Sequence, residues 1–121
     1  MSMKFRSLLS RSFSTSSLLS RQTTNQFLVT VRDFSDPDCI NRRLSVREAH
    51  LTEAKKNYAN KLISKPGALV DDSGKMVGSM IIYNLDSKEE VLEALKKDVY
   101  TSSKVWDLST AQIDQFKTPN F

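Results

Sequence analysis

The sequence predicts an α+β domain of the ferredoxin-like, split βαβ type, with elements in the order βαββαβ. Three observations carry that expectation. Runs with alternating or β-branched apolar residues mark strands near Phe27 and Ile81. Two stretches carry a serine followed three residues later by a glutamate, which marks a helix start. Weaker strand signals follow each of those helices.

Residues 1–24 come first and differ in kind. They hold eight serines, with Lys4, Arg6, Arg11 and Arg21, and no acid occurs before Asp33. Serine- and arginine-rich, acid-poor sequence is the composition of a mitochondrial transit peptide. The expected organisation is therefore a disordered, cleaved transit peptide over 1–24 and a folded domain over 25–121. The expected location is the mitochondrion, in the matrix.

Phe27, Val29 and Val31 alternate with Leu28, Thr30 and Arg32, so 27–34 reads as a strand that Ser35-Asp36-Pro37-Asp38 breaks. Ser45 and Glu48 open a helix over about 45–59, with Val46, Leu51, Ala54 and Tyr58 as its apolar positions and Asn60 as its stop. Lys61–Ser64 is a short strand ended by Pro66-Gly67, and Asp71–Gly74 is a turn. Met76–Leu85 is the strongest strand. Ser87 and Glu90 open a second helix with Val91, Leu92 and Leu95 inward, closed by Lys96 and Lys97. Residues 99–107 connect to a last strand over Ala111–Phe116. Met76, Met80, Tyr83 and Trp106 are expected to pack in the core.

A chain of 121 residues fits one domain. With 26% charged and 39% hydrophobic residues it has an ordinary globular composition. No run approaches the roughly 20 apolar residues of a membrane span. Of 18 basic residues, three lie in the first 20 positions with no acid among them, which leaves 15 against 14 acids. That near-neutral remainder lacks the basic footprint of a nucleic-acid binder. Cys39 is the single cysteine, so an internal disulfide and a cysteine metal cluster are excluded, and it reads as an incidental loop residue. One histidine and one cysteine do not furnish a zinc site, and no Gly-rich phosphate loop is present. No cofactor is expected; haem ligation by His50 is the alternative that stays open.

The stretch Arg42–Leu51 concentrates the chemistry. His50, the single histidine, can exchange a proton near neutral pH. Arg47 lies three residues earlier on the same helix face and suits a carboxylate or phosphate. Asp98, after the second helix, can orient the imidazole. Arg42 and Arg43 read as solvated or paired with acids.

Arg43-Leu44-Ser45-Val46-Arg47-x-Ala49-His50-Leu51 also resembles the first-helix signature of the YCII-related (YciI-like) proteins. Val77–Tyr83 resembles their Gly-Ser strand, and Asp98-Val99-Tyr100 stands where the family shows Asp-Pro-Tyr, with valine for proline. The likeness covers about 27–117 and is that of a mitochondrially targeted, fungal-type member. It implies a dimeric α+β barrel, in which two sheets face each other, and hence a homodimer. It implies a cleft in which His50 and Asp98 are the catalytic pair. Ser79 and Tyr100 join Arg47 as substrate-binding residues by motif position. The expected function is a small enzyme using the His/Asp pair for acid–base chemistry on a small organic molecule. The alternative is a non-catalytic metabolite-binding or interaction module with a vestigial cleft.

Overall fold

The computed structural model describes residues 25–120. Residues 1–24, to which the sequence assigns a transit peptide, lie outside the described residues. The elements are β1 (Gln26–Asp33), α1 (Cys39–Ala59), β2 (Ile63–Val70), β3 (Met76–Asn84), α2 (Lys88–Lys97), α3 (Val99–Ser102) and β4 (Trp106–Phe116). The four strands form one antiparallel sheet in the order β2-β3-β1-β4. This is the ferredoxin-like α+β arrangement. No helix among the described residues is long and apolar enough to cross a membrane.

Strand alternation decides which face the helices cover. Phe27, Val29 and Val31 of β1 pair with Tyr83, Ile81 and Ser79 of β3, and all six are buried on one face. Val91 and Leu95 of α2, with Val105 and Trp106, complete the core above them. Leu28, Met80 and Ile82 fall on the other face and are half-buried. Met80 is therefore not a core residue, and Met76 is half-buried as well. Gly78 marks a close approach of β3 to β1: a Cβ there would stand 2.5 Å from the Val31 carbonyl oxygen.

Several sequence expectations are corrected. α1 starts at Cys39, not Ser45. The Asp36–Asp38 turn itself winds the first turn, with the Cys39 N–H donating to the Asp36 carbonyl and the Arg42 N–H to that of Asp38. Ser45 lies inside the helix and donates its hydroxyl to the Arg42 carbonyl at 2.8 Å. Its inward line is Cys39, Arg43, Val46, His50 and Ala54, while Leu51 and Tyr58 are exposed. Two polar inward positions hid the true face from an apolar-stripe reading. Cys39 is thus a buried helix residue rather than a loop residue, and burial raises its thiol pKa.

β2 runs through Pro66-Gly67 to Val70. It is an edge strand, where a missing proline N–H takes no ladder bond away. β4 begins at Trp106, earlier than Ala111, because a bulge opposite Thr30–Arg32 breaks its alternation. There Thr110 Oγ1 accepts from the Arg32 N–H at 2.8 Å in place of a ladder partner. At α2 the Ser87 hydroxyl accepts from the Glu90 N–H, while Glu90 accepts from the Asp86 N–H rather than from Ser87.

Candidate functional site

The site grows from the inward line of α1. Arg43 and His50 are two turns apart on that line, so both point between the helix and the sheet. Asp98 ends α2 in an extended conformation and caps α3, its Oδ1 accepting from the Tyr100 N–H at 2.9 Å. Val99 is the first residue of α3, where the missing N–H of a proline would be tolerated and where valine also serves. The cap fixes the Asp98 carboxylate, and the same Oδ1 meets His50 Nδ1 at 2.8 Å. A carboxylate oxygen only accepts, so Nδ1 carries the proton. Nε2 makes no hydrogen bond among the described residues and is the free edge of the ring.

Aromatic contacts hold the imidazole in place. It stacks on Tyr100 with centroids 3.7 Å apart and planes 6° from parallel. Trp106 meets both rings edge-on, at 5.7 Å from His50 and 5.5 Å from Tyr100. His50 and Asp98 side chains are 11% and 17% exposed, so the pair is sheltered yet reachable.

Behind the aromatic layer is a buried polar network. Arg43 Nη1 lies 2.8 Å from both oxygens of Asp33, with side chains only 4% and 6% exposed. Burial pushes the Asp33 carboxyl above its ordinary range, and the Arg43 charge opposes that push. Arg43 Nη2 donates to Ser79 Oγ at 3.0 Å, and Trp106 Nε1 donates to the same oxygen at 3.0 Å. Ser79 thus accepts twice, and its own proton has no acceptor among the described residues. Arg43 Nε is also buried without a partner, and its guanidinium lies 4.8 Å from the Tyr100 ring centroid. Arg42, by contrast, pairs with Asp36 at 2.7 Å on the surface.

A cleft of about 170 Å³ opens between α1, β2 and β3 onto these groups. Arg43, Arg47, His50, Ser79 and Tyr100 line it, and Pro66–Ala68 form the opposite wall. An apolar cavity of about 150 Å³ takes one benzene ring, so the space suits a single-ring molecule. Arg47 is exposed at the lip. Asp98 does not line the cleft; it stands behind His50. The expectation that both face one cleft is therefore corrected: His50 faces it and Asp98 backs His50.

All five residues singled out from the sequence fall in or behind this one place. Arg43, Asp33 and Trp106 were missed as site residues. The signals were present. Arg43 precedes His50 by seven residues, and Asp33 continues the buried alternation of Phe27, Val29 and Val31. An acid on a buried strand face calls for a buried cation. No group of three or more metal-ligating side chains occurs among the described residues.

No protein-family profile matches the chain. It is 27% identical over 89 residues to the aspercryptin biosynthesis cluster protein B of Emericella nidulans, a match covering 68% of this chain. The match spans 57% of that relative's length. In structure the chain is similar to 5-chloro-2-hydroxyhydroquinone dehydrochlorinase from Burkholderia phenoliruptrix, solved in complex with 2,5-dihydroxybenzoquinone. That likeness has a TM-score of 0.64 at 22% identity and covers 78% of this chain and 95% of the other. It establishes the shared fold.

Proposed function

We propose that the cleft binds a small, single-ring, oxygen-bearing molecule and that His50 moves a proton on it. The observation that carries this reading is the His50–Asp98 contact through Nδ1, on a histidine that lines a ring-sized cleft and whose Nε2 makes no hydrogen bond among the described residues. Asp98 fixes the tautomer, so Nε2 is the base. A hydroxyl or acidic C–H of the ligand gives its proton to Nε2, and Asp98 stabilises the imidazolium that forms. The Ser79 O–H and the Arg47 guanidinium are placed to receive the oxygen anion left on the ligand. Proton transfer of this kind belongs to lyase or isomerase chemistry. The benzoquinone held by the fold neighbour and the biosynthetic setting of the sequence relative both agree with a small oxygenated ring. The sequence likeness to YCII-related proteins supports the same reading.

Trp106 is the chain's single tryptophan and borders His50, so its emission reports on the cleft. Titration with hydroxybenzoquinones and hydroxyphenols should change that emission saturably, and Arg47→Ala should weaken the response. A panel that leaves the emission unchanged would contradict the reading. A second reading, a binding module without turnover, draws on the tight stacking of His50 against Tyr100. It predicts the same saturation with ligand recovered unaltered.

We also propose that a second copy covers the open sheet face, where no helix among the described residues lies over the half-buried Leu28, Met80 and Ile82. Light scattering should give twice the monomer mass; a folded monomer at micromolar concentration would refute this. The basic, acid-free 1–24 segment supports mitochondrial import followed by cleavage. N-terminal sequencing of the native protein should find a start between about residues 13 and 26, whereas an intact Met1 would refute it.

A further inference from the structure

His50 and Asp98 form a partition between two spaces. His50 lines the cleft, and Asp98 lines a separate groove that shares none of the cleft's lining residues. The groove, of about 480 Å³, lies between α1 and α2 over the end of β3. We propose that this groove is a second binding site, for a protonated amine carried on a short apolar body.

The floor is apolar, formed by Leu62, Leu85, Ala94 and the ring of Tyr83. The rim is acidic. Glu53 comes from α1 and Glu89, Glu90 and Glu93 from α2, against one lysine, Lys97. Glu53 and Glu93 have only exposed partners one turn along their own helices, Lys56 at 3.5 Å and Lys96 at 3.7 Å. Such pairs hold a charge weakly. Glu89 has no ion-pair partner among the described residues.

Acidic side chains alone would be only a solvated surface. Tyr83 makes the difference. It is 6% exposed and lines the groove; its hydroxyl makes no hydrogen bond among the described residues and still reaches solvent. Burial and the nearby Asp98 charge push its pKa up, so the phenol stays neutral. Asp98 gives Oδ1 to both His50 and Tyr100, which leaves Oδ2 without a donor among the described residues. The groove therefore presents solvent-reached oxygen acceptors, Tyr83 Oη and Asp98 Oδ2, that have no donor among the described residues, above an apolar floor. A ligand complementary to it brings N–H donors and positive charge at one end and hydrocarbon at the other. Its charge would stand on the far side of Asp98 from His50, so occupancy should be felt at the imidazole.

The test is an NMR titration of the full chain with phenethylamine, with 2-phenylethanol as the uncharged analogue. The amine should shift the backbone amides of Leu85 and Ala94 and the His50 ring signals with one saturation curve. The alcohol should bind about tenfold more weakly, and so should the amine to E89Q/E93Q. Tyr83→Phe, which removes only the oxygen, should also weaken binding. Equal shifts with the alcohol, unchanged affinity in either variant, or no saturable shift at the groove would overturn the proposal. No ligand of the cleft enters this experiment, so its failure leaves the proton-transfer reading untouched, and the reverse holds too.

Discussion

Arg43→Leu should lower stability by about 3–5 kcal/mol, the loss expected when one partner of a buried ion pair is removed. The substitution leaves the Asp33 carboxylate 6% exposed with no counter-charge. It also takes a donor from Ser79 and the cation from the Tyr100 face. Urea denaturation should show a lower midpoint at an unchanged slope. The double variant Asp33→Leu/Arg43→Leu separates the causes. Two apolar side chains of suitable volume leave no buried charge, and most of the loss should return. A single variant as stable as the parent would mean that water reaches Asp33 and that the pair is not sealed.

His50→Gln should reduce turnover of a cleft substrate by about 10²–10⁴-fold, the range for loss of a positioned acid–base group. Glutamine keeps a polar side chain of similar reach but has no titratable nitrogen. Ligand binding, read through Trp106, should survive, because Arg47 and Ser79 remain. A fall in KM-limited binding with unchanged kcat would instead make His50 a binding residue. Asp98→Asn should be milder in binding and severe in turnover, since an amide can present either a donor or an acceptor to Nδ1 and no longer fixes the tautomer.

Much of this arrangement was legible in the sequence, but not evenly. His50 and Asp98 are 48 residues apart and still meet; the motif likeness paired them in the sequence, and the Asp98 cap on α3 is a local signal that the sequence reading did not use. The order of elements followed from alternation and turn residues, which are local as well. Most of the failures share one cause, a tertiary contact overriding a local pattern; the start of α1 is the exception, set by the local Asp36–Asp38 turn. Pro66 looked like a strand end, yet at a sheet edge its missing N–H removes no ladder bond. β4 lost its alternation at a bulge that Thr110 repairs from the side chain. Arg43 was expected to be solvated or paired with an acid; it is paired, with Asp33, and what the sequence did not show is that the pair is buried, as arginines seldom are. The apolar stripe of α1 was misplaced for the same reason: its inward face carries the arginine and the histidine.

The most direct test of the account is the protonation pattern of the His50 ring, read by long-range ¹⁵N–¹H correlation with and without 2,5-dihydroxybenzoquinone. Nδ1 should carry the proton, held by Asp98, in both states. The ligand should move the Nε2 resonance and leave Nδ1 nearly in place. A neutral ring with its proton on Nε2, or a ligand that leaves Nε2 unmoved while Trp106 emission reports binding, would contradict the claim that His50 is the proton-transfer group of the cleft.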